Sequence, residues 1–291
     1  MKTKIKTLYH SLGRAACAGA LLIGFSGFAQ SVFVSSYTPG DVFECTSRGG
    51  QSTFASGQDY PFGMAFNSAG DLFVANSDND SGNGYITKIT PTGEQTTFAS
   101  GVDPKGLAFN SAGDLFESDY HSGIIYKYTR AGKQRIFASG FAGPQALAFN
   151  RAGDLFVAAG YGNYNQYIIK ITPTGRPSVF ASGLSGTGGL AFNRAGDLFE
   201  ADTGTGNIYE FTPRGVRRTF VSGLQGPVSL AFNSADELFV GVSVDNASEG
   251  YVDKIMPDGR QSVFASGIVE PAGLAIRPVL ILTVRHFQNF R

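Results

Sequence analysis

Histidine and cysteine are scarce in this chain, and tryptophan is missing: 291 residues include three histidines, two cysteines and no tryptophan. Cys17 lies in an N-terminal segment that reads as removable. Cys45 then stands alone, no internal disulfide can form, and stability must come from packing. His121 and His286 are the only histidines beyond that segment, which excludes a histidine-rich zinc centre. The G-x-S-x-G, P-loop and H-E-x-x-H motifs are absent. No apolar run approaches the roughly 20 residues of a spanning helix. Charge is sparse and balanced, with 23 basic and 23 acidic residues. The lack of a basic stripe argues against nucleic acid or an anionic membrane surface as partner.

What the chain does have begins with a basic, then apolar, N-terminus. Lys2, Lys4, Lys6 and Arg14 precede "AACAGALLIGF", and small residues lead up to Ala29. Residues 1–29 therefore read as a secretory signal, which predicts a secreted or periplasmic protein with no membrane insertion after cleavage. Cleavage leaves 19 basic against 23 acidic residues. The domain is expected over 30–277, with residues 278–291 as a C-terminal tail outside the repeat.

Glycine (39) and phenylalanine (25) are abundant, and both recur at a fixed period. "F-[AV]-S-G" has its Phe at 54, 98, 137, 180, 220 and 264, spaced 39 to 44 residues apart. "GLAFNSAGDLF" and its variants fall between these copies. Each unit reads as four short strands, a to d, separated by Gly, Asn, Pro and Ser turns. The connections are too short for crossover helices, so neighbouring strands must be antiparallel. Four antiparallel strands per unit of this length predict a propeller blade, in an all-β fold. The repeat starts without a strand a and stops after an orphan one, Gly273–Arg277. Joined, the two ends complete a sixth blade and close the ring.

The phrase "P-x-G-L-A-F-N-x-A-G-D-L-F-V-A" resembles the NHL repeat, and the whole resembles the six-bladed NHL and SMP-30/gluconolactonase-like propellers. The resemblance covers roughly Ser31 to Arg277 and implies two roles: a scaffold that binds a ligand or a protein, or a lactonase-type hydrolase. The lactonase branch implies one divalent cation in the central channel, held by an Asn before strand a and an Asp ending strand b. Here the residues before strand a are Phe62, Lys105, Gln145, Gly188, Val228 and Ala272, and strand b ends in Asp only at Asp119 and Asp202. No cofactor is therefore expected, with a divalent cation (calcium, magnesium or zinc) as the alternative. The first-choice role is a binding scaffold, monomeric, for a small polar ligand or a protein.

In such a blade the a–b and c–d turns share one face of the disc, and the variable b–c and d–a loops share the other. Spans across the b–c loop alternate between 14 residues and 17 or 18, as if a two-blade unit had been triplicated. The three long loops offer Asp78, Asp80, Tyr161, Tyr164, Asp245 and Glu249 as candidate ligand contacts, and Asp119 and His121 join them from a short loop, His121 as a candidate general base beside Asp119. A register that sets Leu115 opposite Thr129 predicts a Glu117–Lys127 pair. In the fifth unit the same register sets Glu200 opposite Glu210 with Asp202 alongside, a candidate cation site. A register slipped by one residue would instead send Glu200 and Glu210 to opposite faces.

Overall fold

The computed structural model describes residues 30–47, 50–77, 83–160, 166–244 and 250–278. Those residues form 24 strands and no helix, arranged as six four-stranded antiparallel sheets. Blade 1 is the closing blade. Its innermost strand is Pro271–Ile276, followed outward by Val32–Ser36, Asp41–Cys45 and Gln51–Ala55. Blades 2 to 6 start at Pro61, Pro104, Leu147, Thr187 and Pro227 and follow in chain order. The expected closure is therefore present: Val32 pairs with Ile276, Phe33 with Ala275 and Val34 with Leu274. Residues 1–29, where a signal segment is expected, and residues 279–291 of the tail lie outside the described residues.

Burial peaks at the second strand of each blade and falls toward the rim, for a reason written in the strands. Every second strand is buried along its whole length, as in Leu115–Asp119, because both of its faces meet a neighbouring blade. The outermost strands begin with three exposed residues each. Six apolar clusters fill the six gaps between blades. The Phe of each second strand sits at the centre of its gap. Phe116 meets Phe137 of its own outer strand and Phe149 of blade 4 edge-on, both at 4.9 Å. Phe33, Phe73, Phe156 and Phe199 repeat this triad at 4.9–5.1 Å. Such edge-to-face contacts add about 0.5–1.5 kcal/mol each beyond area burial. The three repeated phenylalanines of the motif are thus one interlock.

At the hub the innermost strands lie so close that a side chain is excluded. A Cβ on Gly106 would come within 2.0 Å of the Gln145 carbonyl oxygen, and one on Gly273 within 2.2 Å of the Phe62 carbonyl oxygen. This close approach explains the glycine that opens most copies of the repeat.

On the turn face the motif's aspartate has a fixed partner. Lys88 pairs with Asp71 (2.9 Å), Lys127 with Asp114 (2.5 Å), Lys170 with Asp154 (2.8 Å) and Lys254 with Glu237 (2.6 Å). This corrects the expected Glu117–Lys127 pair. Tyr128, not Thr129, faces Leu115, so Lys127 faces Phe116 and Glu117 faces Tyr126. The slip arises because Thr129 belongs to the turn. Its amide bonds the Lys133 carbonyl and its hydroxyl accepts the Lys133 amide at 3.2 Å. A one-residue shift reverses the face of every side chain. In blade 5 the same register sets Glu200 opposite Tyr209 and Glu210 opposite Phe199, so the two carboxylates lie on opposite faces and form no common site. Glu210 occupies the place of the lysine and pairs instead with Arg218 at 2.5 Å.

Two outcomes follow from this architecture. Leu274→Ala on the closing strand is expected to cost about 2–5 kcal/mol, and truncation before Gly273 to lower the melting temperature further, because it opens a strand edge at the seam. An unchanged melt of the truncated chain would contradict closure. Glu210→Lys restores for Asp197 the lysine that its counterparts have. It is expected to raise the urea midpoint by the equivalent of about 0.5–1 kcal/mol, an increment that high salt should erase.

Candidate functional site: the channel mouth

The six innermost strands surround a narrow channel. Its waist, of about 130 Å³, is lined by the opening residues of the repeats and by Phe62, Lys105, Gln145, Gly188, Val228 and Ala272 just above them. This ring offers one cation and one amide, and no carboxylate. Above it, on the loop face, the channel widens into a cavity of about 350 Å³, within the range of small-molecule sites. Tyr37, Phe62 and Glu270 stand on one side; Gln145, Thr203 and Ser243 are also in its lining.

Each wall residue is set by backbone contacts across the blade gaps. The Ser35 hydroxyl accepts the Gly273 amide and donates to the Phe62 carbonyl, both at 2.8 Å. Ser118 does the same for Gly106 (2.8 Å) and Gln145 (2.5 Å). Thr203 donates to the Pro227 carbonyl at 2.8 Å. Tyr37 packs against Tyr60 and Phe62 with ring centroids at 4.9 and 5.2 Å. Its amide bonds the Glu270 carbonyl at 3.0 Å, and the Thr38 hydroxyl donates to the Glu270 carboxylate. Tyr60 and Glu270 both adopt left-handed backbone angles, φ +47° and +44°, at positions that Gly143 and Gly226 fill in blades 4 and 6. Holding such side chains there costs of order 1–3 kcal/mol each, and strain of this kind concentrates at functional sites.

A second polar cluster adjoins the mouth between blades 2 and 3. Lys105 extends over the Phe62 ring, 3.7 Å from its centroid, and reaches the Ser77 hydroxyl at 3.2 Å. Ser77 donates to the buried Asp103 at 2.6 Å, whose other oxygen meets His121 Nδ1 at 2.6 Å. His121 is therefore paired with Asp103 and not with Asp119, as its place in the sequence suggested. Asp119 is a loop anchor. Its oxygens accept the amides of Asp103 (3.0 Å) and Ser122 (2.9 Å). Asp202 serves blade 5 in the same way through Ser185 at 2.8 Å and the amide and hydroxyl of Thr205 at 2.9 Å. Asp78, Asp80, Tyr161, Tyr164, Asp245 and Glu249 lie outside the described residues. Phe62, Gln145 and Glu270 escaped selection as sequence candidates because they sit in d–a loops and strand starts that look like ordinary connections, and Tyr37 because it sits in the short b–c loop of the closing blade. A non-glycine residue before the proline of Tyr60-Pro61 and Glu270-Pro271, where Gly143 and Gly226 stand elsewhere, was the available signal.

Glu117 and Glu200 lie deeper, sealed between blades and fully buried. Neither oxygen of Glu200 has a hydrogen-bond partner, and Glu117 has only the Tyr128 hydroxyl at 3.4 Å. Burial pushes both carboxyls well above the usual range. Asp202 adds to the effect at Glu200 against Arg217; Asp119 adds to it at Glu117 against the Tyr128 bond. Cys45 is likewise buried, its thiol pushed up to about 11 first by desolvation and then by Glu44, which leaves it an inert packing residue.

The donor set of the channel does not fit a divalent cation. Its lining ring has no carboxylate, Glu210 points away from Glu200, and Asp202 is engaged by its loop. Among the described residues no group of three His, Cys, Asp or Glu side chains converges as a metal site would require.

No protein-family model matches the chain, and no curated protein matches it either. Solved structures do. One, provisionally described as a gluconolactonase, is 15% identical with a TM-score of 0.61, covering 76% of this chain and 82% of its own. Another, a protein of unknown function from Bacteroides caccae, is 14% identical with a TM-score of 0.65, covering 86% of this chain and 99% of its own. At such identities the likeness is one of fold: the six-bladed architecture is the one expected from the resemblance to NHL and SMP-30/gluconolactonase-like propellers.

The buried glutamates generate a pH dependence with a definite sign. A carboxyl whose folded pKa is raised stabilises the fold fully below its unfolded pKa, near 4.5, and that contribution is lost as pH rises through the folded value. Between pH 5 and pH 8 these two groups therefore lower stability as pH rises. Val34, Val74, Val157 and Val240 fill the same position in the other blades. Glu200→Val is expected to stabilise the protein by about 1–3 kcal/mol at pH 8 and by less at pH 5. Urea titrations at the two pH values measure this, and an equal gain at both would contradict the account.

Proposed function

We propose that this chain is an exported, monomeric binding propeller whose small polar ligand seats in the channel mouth on the loop face. The observation that carries the reading is the contrast between two levels of one channel. The waist is narrow, walled by closely approaching backbone and lined by a ring without carboxylates. The mouth is a cavity with an aromatic wall, one carboxylate and polar side chains, held by inter-blade hydrogen bonds and strained backbone. Preorganised walls of this kind favour binding because little ordering is left to be done on association. The N-terminal basic and apolar segment supports export, with the mature chain beginning at Gln30.

A ligand screen by thermal shift and amide chemical-shift mapping tests the proposal. Hits are expected to perturb Tyr37, Phe62 and Gln145 together, and Gln145→Ala is expected to weaken them about tenfold, the cost of one hydrogen bond to a charged group or a buried orphan left behind. Hits confined to the turn face would contradict the reading. So would turnover of lactones that depends on added calcium, magnesium or zinc, which would return the lactonase alternative to first place. Intact-mass analysis of exported protein checks the Gln30 start.

A further inference from the structure

The mouth cavity has an unbalanced charge. Among the described residues Glu270 is the only charged side chain in its lining. Its carboxylate is exposed toward solvent and accepts one hydrogen bond, from Thr38, which leaves acceptor capacity for a ligand. Beside it the Tyr37 ring is braced by Tyr60 and Phe62. Phe62 already carries an ammonium group, that of Lys105, 3.7 Å from its centroid. This is the geometry in which an aromatic face attracts a cation. Lys105 itself lines the waist and not the mouth, and its charge is offset through Ser77 by the buried Asp103.

We propose that the ligand of the channel mouth is a small organic cation, a primary amine or a quaternary ammonium, with Glu270 as its counter-ion and Tyr37 and Phe62 as its aromatic faces. The assignment rests on reading the mouth as the binding site. An anion would meet the Glu270 carboxylate with no cation among the described lining residues to hold it. A neutral polyol would leave that carboxylate unmatched, although the sequence keeps Glu270 at a left-handed position where glycine is the unstrained choice. Gln145 and Ser243, also in the lining, suit one hydroxyl or carbonyl elsewhere on the same ligand.

Isothermal titration of the mature chain with choline and with 2-phenylethylamine, alongside glucose and gluconate, tests this. At least one of the two cations is expected to bind saturably, with Glu270→Gln weakening it tenfold or more, Tyr37→Leu weakening it as well, and added salt weakening it further. Because Glu270 is exposed, the variant should keep the parent melting temperature, which the same samples verify. Saturable binding of glucose or gluconate with both cations silent would overturn the cation and leave the mouth as a site. Cation binding unaffected by Glu270→Gln would overturn the role of Glu270 and with it the proposal. Silence from all four compounds would overturn both this inference and the binding reading beneath it.

Discussion

The face-to-face packing of neighbouring blades is the constraint on which everything else depends. A single four-stranded sheet with two apolar faces cannot stand alone in water, and only a closed ring gives all six sheets a partner on both sides. The edge-to-face phenylalanine triads are the repeated unit of that packing. Closure is its last step: the C-terminal strand supplies the hub edge of the blade that the N-terminus begins. In the sixth gap Phe239 meets Phe264 at 4.8 Å, and Ile276 packs where the other copies have their third phenylalanine. The next residue, Arg277, lies over the Phe33 ring of the adjoining gap, 4.4 Å from its centroid, and meets Glu44 at 3.3 Å.

The same constraint decides where chemistry can reside. Glycines at the hub bring backbone against backbone and narrow the waist. The blade gaps are filled by apolar side chains, and burial there pushes the Glu117 and Glu200 carboxyls well above the usual range. The turn face repeats one lysine–carboxylate pair in four blades. What remains free to vary is the loop face, where the d–a loops deliver one side chain each to the channel rim. There the chain departs from its own repeat: Phe62, Lys105, Gln145, Gly188, Val228 and Ala272 share one position without a common type, and Tyr60 and Glu270 hold backbone angles that Gly143 and Gly226 hold in other blades.

Most of the fold was legible in the sequence because the repeat states the same packing solution six times. Period, strand number, ring closure and the shared terminal blade all follow from Phe, Gly and turn spacing. Register was not legible to the residue. Thr129 ends an apolar strand as easily as it opens a turn, and that ambiguity moved Lys127 to the other face and replaced an expected ion pair at Glu117 with a buried, nearly unpartnered carboxyl. The mouth was legible only in part. His121 stood out by residue type, yet its partner, Asp103, comes from a loop sixteen residues from Asp119 that only folding brings near. Asp119 and Asp202 looked like ligands and proved to be anchors, because a carboxylate that accepts backbone amides serves its loop before it serves a solute.

The central claim is that this propeller binds its ligand at the channel mouth and that the waist, which lacks carboxylates, holds no metal. A crystal structure of the mature chain grown in millimolar calcium tests it most directly. The account predicts a waist without a coordinated cation and solute density in the mouth, in contact with Tyr37, Phe62 and Glu270. A calcium ion coordinated by side chains at the level of Lys105 and Gln145 would contradict it.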